Sequence, residues 1–128
     1  MWLLLDTHAL IWWAAGDAAL SATAQGAIAD ESNDVYVSAA SAWEIATKHR
    51  RGKLPGAGPL AADIVDAIAR YGFLELPISI SDGQAAGKLP GPHSDPFDRM
   101  LIAQALAGSL TLVSNERLFD SYGVARLW

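Results

Sequence analysis

The sequence predicts an α/β fold with a mostly parallel central sheet of about five strands. Short apolar runs alternate with segments of helical spacing along the chain, which is the order of elements in such folds. The first run, WLLL at residues 2–5, is apolar without interruption, as expected of a strand with both faces buried. The chain has 128 residues, 52% of them hydrophobic, which suits one core but not two. We therefore expect a single domain over residues 1–128.

The first half of the chain shows the patterns of two strands and three helices. In order, these are strand 2–5, helix 7–15, helix 21–31, strand 35–37 and helix 39–51. The first and third helices stop near Gly16 and Gly52, because glycine favours the left-handed backbone found at helix ends. Ser21 is the expected N-cap of the second helix, since its hydroxyl can accept a backbone N–H of the first turn.

The second half of the chain continues this alternation after a loop. The segment RGKLPGAGPL at 51–60 is rich in Gly and Pro and is expected to form that loop. It is followed by helix 60–72, strand 73–76, short helix 81–89, helix 95–108, strand 110–113, short helix 116–122 and edge strand 125–128. Residues 95–108 are apolar nearly all round, which predicts a buried helix.

The two aspartates of HSDPFDRM have different predicted roles. Pro96 suits the first position of a helix, which makes Asp95 the N-cap and leaves Asp98 in the first turn. Asp98 then lies near the positive end of the helix, where the helix dipole is expected to lower its pKa. The alternative role of Asp98 is to complete the cap by accepting from the backbone.

Acidic residues follow several of the predicted strands. Asp6 comes directly after the first strand, Glu44 lies early in the helix after the second, and Glu116 lies just beyond the fourth. Asp98 begins the helix that leads into that fourth strand. In α/β sheets the site lies beyond the carboxyl ends of the strands, near the switch in strand order. The four carboxylates are therefore expected to meet at one edge of the sheet.

Such a group of carboxylates predicts a metal site. Packed acids repel one another, and they all remain ionised only when cations are present. Mg²⁺ prefers a few carboxylates together with waters and phosphate oxygens, and such a site can activate water for in-line displacement at phosphorus. The chain has no cysteine and only three histidines, whose spacings do not suit a dedicated zinc site.

The composition argues against several other classes of protein. A formal net charge of -5 disfavours nucleic-acid binding through a broad positive face. No apolar run approaches the roughly 20 residues needed to cross a membrane. The absence of cysteine agrees with a cytoplasmic location.

Each acid also has a simpler structural interpretation. Asp6 is able to cap the helix that follows it. Glu44 completes the capping-box pattern S-x-x-E with Ser41. However, Ser38 directly follows the strand and is the expected N-cap, which leaves Glu44 in the second turn with its side chain free. Glu116 opens a short helix, where the helix dipole favours an acid.

Polar neighbours of the acids are candidates for supporting or substrate-contacting roles. Thr7 and Ser114 are able to orient a carboxylate or a water at the metal, or to serve only as turn residues. Arg99 is expected to pair with a neighbouring carboxylate or to contact a substrate phosphate. His8 and His93 lie near the acids in sequence and are expected to be local hydrogen-bond partners rather than ligands.

Four blocks of the sequence resemble the PIN-domain family, specifically the VapC-type toxins of toxin–antitoxin pairs. They occur in order along nearly the whole chain and read LLLDTHALIWW, VSAASAWEIATKHRRGKL, HSDPFDRMLIAQALA and LTLVSNERLF. The resemblance implies a three-layer α/β/α domain. It also implies an endoribonuclease that depends on Mg²⁺, with Mn²⁺ as a substitute, and that leaves a 5′-phosphate and a 3′-hydroxyl.

The family's acidic ligands match positions of this chain one by one. The first matches Asp6, the second Glu44 and the third Asp98. The fourth is usually an aspartate two residues after a Thr or Ser, and here it is Glu116, two residues after Ser114. The resemblance further implies a homodimer, inhibited by a small antitoxin protein that also binds operator DNA.

Two further features have an open interpretation. Lys48 and Arg51 belong to the basic stretch KHRRGK, which suits either a helix C-terminus or an edge that faces substrate phosphates or the antitoxin. Trp12 and Trp13 are adjacent on a helix, so at least one is expected to be exposed, at a dimer or antitoxin contact.

Three rival functions are weighed against the nuclease. A catalytically inert PIN-like module that binds RNA or protein would lack one or more acids, and all four positions are acidic here. A phosphatase with an aspartate nucleophile at Asp6 usually has a second acid at position 8, which is His8. A receiver-like phosphoacceptor domain would need a paired acid before Asp6, and LLLD has none.

Overall fold

The computed structural model describes residues 1–128 and contains one five-stranded sheet, which is parallel throughout. Its strands are β1 Trp2–Leu5, β2 Asp34–Ser38, β3 Leu74–Leu76, β4 Thr111–Val113 and β5 Arg126–Leu127. They lie side by side in the order β3-β2-β1-β4-β5. The predicted α/β fold with five strands is confirmed.

Seven α-helices connect the strands. They are α1 Thr7–Ala15, α2 Ala22–Ala29, α3 Ala39–Arg50, α4 Gly58–Ala62, α5 Ile64–Arg70, α6 Ile80–Lys88 and α7 Pro96–Gly108. Short 3-10 helices span Pro55–Ala57 and Arg117–Tyr122. None of the helices combines the length and the apolar character that crossing a bilayer requires.

The prediction of one helix over 60–72 is wrong. The segment divides into α4 and α5 at Asp63, whose backbone is extended with φ -156° and ψ 86°. Its carboxylate accepts the backbone N–H of Asp66 at 3.0 Å and so caps α5. The apolar stripe continues across the break, so hydrophobic periodicity alone does not reveal that Asp63 caps a new helix.

The sheet separates two cores, which gives the molecule three layers. Leu3 and Leu5 of β1 face one core, whereas Leu4 faces the other. Helices α1 to α5 contribute buried residues to the first core, and α7 contributes to the second. Alternate side chains of the central strand are buried on both faces, which explains the uninterrupted apolar run in the sequence.

Both adjacent tryptophans of α1 pack against the first core, so the expectation that one is exposed is wrong. Trp12 lies beside Trp128, with ring centroids 5.8 Å apart, and Trp13 lies beside Phe73, at 6.0 Å. The exposed tryptophans are instead Trp2 and Trp43.

The strand order fixes where a site can form. The chain passes from β1 to β2 and β3 on one side and returns to β4 on the other side of β1. Leu5 pairs with Val113, and the backbone N–H of Asp6 donates to the Val113 carbonyl at 3.1 Å. A crevice therefore opens beyond the carboxyl ends of β1 and β4.

Candidate active site

Asp6 lies at this crevice and is almost fully buried. Its carboxylate accepts the backbone N–H of Ala9 at 2.7 Å, so Asp6 is the N-cap of α1 as well as a site residue. Burial raises the pKa of Asp6, and a hydrogen bond from the Ser114 side chain opposes that rise. The negative charge of Glu116 acts in the same direction as burial.

Glu44 is buried in the second turn of α3. The helix begins where predicted, because the Ser38 hydroxyl accepts the backbone N–H of Ala40 at 3.0 Å. The carboxylate of Glu44 is not free, however. The Thr7 hydroxyl donates to its Oε1 at 2.6 Å, and the Lys48 ammonium pairs with its Oε2. Sequence spacing could reveal the Lys48 pair on one helix, but not the Thr7 contact between two helices.

Asp98 occupies the first turn of α7, as predicted. Asp95 is the N-cap, and its carboxylate accepts the backbone N–H groups of Phe97 at 2.9 Å and Asp98 at 3.3 Å. Pro96 is the first residue of the helix. The backbone of this turn is thus fixed, and the side chain of Asp98 lies at the crevice beside the other acids.

The expected lowering of the pKa of Asp98 by the helix dipole is wrong. Its pKa is raised to about 8, first by burial and then by the negative charges of Asp95, Glu116, Glu44 and Asp6. A helix dipole contributes about 1 kcal/mol or less at such a position, which is too little to offset burial and four acids. The charges of Asp6, Glu44 and Glu116 thus all act on Asp98.

Glu116 follows β4 and is partly exposed, with 41% of its side chain accessible. Its backbone N–H donates to the Ser114 hydroxyl at 3.0 Å. Its carboxylate lies in a compact group with His93 and Asp98, whose ligand atoms all lie within 4.8 Å of one another. Asp6 and Glu44 flank this group and act on Asp98 through their charges.

His93 was expected to be only a local hydrogen-bond partner, and the structure places it inside the acidic group. Its Nε2 atom lies 3.1 Å from Oδ2 of Asp98 and 3.3 Å from Oε1 of Glu116. Its position five residues before Asp98 was the sole sequence indication of this placement. His8, by contrast, is exposed and lies against the ring of Trp12.

The predicted pairing of Arg99 with a carboxylate is not formed. Its guanidinium donates instead to the backbone carbonyls of His93 and Ala86, both at 3.0 Å, and to that of Leu89. Arg99 therefore ties the end of α6 and the segment before α7 to the first turn of α7. Its planar group suits several carbonyl acceptors at once.

The two basic candidates of α3 differ in their placement. Lys48 reaches the site, and its pKa is raised chiefly by its hydrogen bond to Glu44, with added effects from Asp95 and Asp98. Arg51 is exposed and forms the C-cap of the helix. Of the two, Lys48 is the cation that partly balances the acids.

The donor set fits a hard divalent cation. Asp6, Asp98 and Glu116 offer carboxylate oxygens, which are the ligands that Mg²⁺ prefers. The raised pKa of Asp98 shows that the chain's own groups leave negative charge uncompensated at this place. A bound cation would relieve that repulsion and hold the carboxylates ionised.

Comparisons of the sequence with known proteins agree with this geometry. The family model described as "PIN domain" matches residues 3–125. Ribonuclease VapC22 of Mycobacterium tuberculosis is 28% identical over 123 residues, covering 94% of this chain and 91% of that protein. Ribonuclease VapC16 of the same organism is 41% identical over 59 residues. That second match covers 46% of this chain and 40% of the relative's length.

A solved structure shares the whole fold. The complex VapBC2 from Rickettsia felis, bound to a DNA fragment from its promoter, contains a chain that superposes with a TM-score of 0.69 at 16% identity. The superposition covers 98% of this chain and 97% of that one. At this identity the likeness supports the fold, and the predicted three-layer architecture is confirmed.

Proposed function

Because this chain belongs to the PIN-domain family, we propose that it is a metal-dependent endoribonuclease and the toxin of a toxin–antitoxin pair. The observation that carries the proposal is the acidic group at the crevice between β1 and β4, where burial and the charges of neighbouring acids raise the pKa of Asp98 to about 8. The ribonuclease names of VapC16 and VapC22 support the choice of RNA as the substrate.

Asp6, Asp98 and Glu116 would hold Mg²⁺, or Mn²⁺ in its place, and Glu44 completes the acidic set. When bound, the cation supplies activation of water and stabilisation of negative charge that develops at phosphorus. Thr7 holds Glu44 through its hydroxyl at 2.6 Å. The Ser114 side chain lowers the pKa of Asp6 and so favours its ionised form.

Lys48 gives the crevice a positive group beside the acids. It pairs with Glu44 and remains about one-third exposed. A substrate phosphate that enters the crevice would find this ammonium within the site, whereas Arg51 lies on the exposed end of α3. We therefore assign phosphate contact to Lys48 and leave Arg51 outside the chemistry, on the face open to RNA or to a partner protein.

The proposal is tested by incubating the purified protein with structured RNAs in Mg²⁺, in Mn²⁺ and in a chelator. Cleavage is expected with either metal and not with the chelator. Asp98→Asn is expected to lose cleavage, while Asp66→Asn is expected to retain it, because Asp66 lies exposed on α5 in a surface pair with Arg70. Equal cleavage by Asp98→Asn and the parent would overturn the site. RNA binding without cleavage under every metal would instead support the inert PIN-like module.

The partners follow from the same assignment. The VapBC2 complex is bound to a DNA fragment from its promoter. We propose that this chain forms a homodimer, binds a small antitoxin and reaches operator DNA through that antitoxin, in the cytoplasm. Co-expression with a candidate antitoxin should abolish RNA cleavage and give a single complex by size-exclusion chromatography with light scattering.

A further inference from the structure

His93 has a buried ring nitrogen, Nε2, whose role in the site is not explained by the metal ligands alone. The residue is 8% exposed, and its Nε2 atom lies within 3.1 Å of Asp98 and 3.3 Å of Glu116. Nε2 nevertheless has no hydrogen-bond partner in this arrangement of the two carboxylates. A buried donor without an acceptor is unfavourable, and the two carboxylates are the acceptors within reach.

The imidazole is fixed in place by its surroundings. The backbone N–H of His93 donates to the Tyr122 hydroxyl at 2.8 Å, and its carbonyl accepts from Arg99 at 3.0 Å. The ring stacks on Phe119, with centroids 5.6 Å apart and an interplanar angle of 25°. These contacts therefore fix the ring so that Nε2 points toward the acids.

The other ring nitrogen determines where the proton lies. The backbone N–H of Asp95 points at Nδ1 from 3.4 Å, so Nδ1 acts as an acceptor. In a neutral imidazole the proton is then on Nε2, which makes Nε2 a donor. A metal-ligating histidine shows the opposite pattern, because it donates its second N–H to a carbonyl or carboxylate.

We propose that His93 is a positioning residue of the acidic site, whose Nε2–H lies between Asp98 and Glu116 and takes a carboxylate oxygen as its acceptor once that side chain turns toward it, which keeps the two carboxylates together. This inference rests on the proposed metal site. This contact matters more for Glu116 than for Asp98, because the Glu116 side chain is more exposed and loses more conformational freedom when it is ordered. The oxygens that do not contact His93 then remain available for the cation.

The tautomer can be read in the parent protein by NMR of ¹⁵N-labelled histidine. We expect the Nε2–H tautomer for His93, both without metal and with Mg²⁺, and His93→Gln identifies its signals. An Nδ1–H tautomer, or coordination of Nε2 on addition of Mg²⁺, would overturn the inference. The tautomer is read in the parent protein, and the variant serves only to assign the signals.

The effect on the site is measured by calorimetric titration with Mn²⁺. His93→Leu keeps the side-chain volume but removes the donor, and we expect about 10- to 100-fold weaker binding. His93→Gln places an amide N–H near the position of Nε2 and should recover most of the affinity. His49→Leu is the control, because His49 is exposed and lies on the last turn of α3.

The outcomes separate the inference from the proposed function. If the parent binds Mn²⁺ and cleaves RNA while His93→Leu binds equally well, the positioning role is wrong and the nuclease stands. If the parent neither binds Mn²⁺ nor cleaves RNA, the proposed function is wrong and the role of His93 falls with it.

Discussion

Asp98 carries an unfavourable charge in the folded chain. Its pKa rises from 3.8 to about 8 on folding, so between these values the folded state holds a proton that the unfolded state has released. Stability falls with pH wherever the unfolded state binds fewer protons. The contribution of Asp98 is therefore fully present below the unfolded pKa and is lost as pH rises through the folded pKa.

We predict that Asp98→Asn raises the melting temperature at pH 8 in the presence of a chelator, by several degrees for a gain of about 1–2 kcal/mol. The difference from the parent should shrink toward pH 4, where both side chains are neutral. Thermal denaturation followed by circular dichroism gives this comparison. Asp66→Asn is the control, and a parent as stable as Asp98→Asn at pH 8 would contradict the assignment.

Asp95 caps the N-terminus of α7, and its negative charge also repels that of Asp98. We predict that Asp95→Ala destabilises the fold by about 1 kcal/mol, because the backbone N–H groups of Phe97 and Asp98 lose their acceptor. Asp95→Asn should cost less, since the amide oxygen still accepts while the charge that raises the pKa of Asp98 is removed. Urea denaturation measures both. Loss of cleavage in a folded, metal-binding Asp95→Ala protein would show that Asp95 does more than begin the helix.

At the scale of the element, α3 carries both an acid of the site and the cation that balances it. Glu44 and Lys48 are four residues apart and so lie on one face of the helix. The basic stretch KHRRGK therefore has two parts. Lys48 faces the crevice, whereas the exposed His49, Arg50 and Arg51 suit the negative end of the helix dipole.

Replacement of Lys48 by a neutral side chain should raise the affinity of the site for a metal ion. We predict that Lys48→Met binds Mn²⁺ roughly two- to tenfold more tightly, because removal of one positive charge leaves more negative potential at the acids. The metal-free protein should be less stable, since Glu44 loses its buried partner. Arg51→Met is the matched control. Weaker Mn²⁺ binding by Lys48→Met would show that the ammonium orders the site instead of competing with the cation.

At the scale of the whole molecule, sequence patterns predicted the features that depend on residues close together in the sequence or on the order of the strands. The five strands, the caps at Ser38 and Asp95 and the meeting of the four acids each follow from neighbouring residues or from the parallel sheet. The contacts that the patterns did not predict join distant segments. His93 contacts Glu116, which lies 23 positions later in the sequence. Burial beside the other acids raises the pKa of Asp98, which is opposite to the expected direction.

The position of β1 in the middle of the sheet affects when activity can begin during synthesis. β1 is made first, but its neighbour β4 comes from Thr111–Val113, and Glu116 follows later still. A growing chain on the ribosome therefore carries Asp6 and Glu44 long before their partners exist. We expect ribosome-bound chains that end before residue 110 to bind no Mn²⁺, and tight binding by such chains would contradict this. The acidic set of the proposed site is therefore complete only after Glu116 has been made.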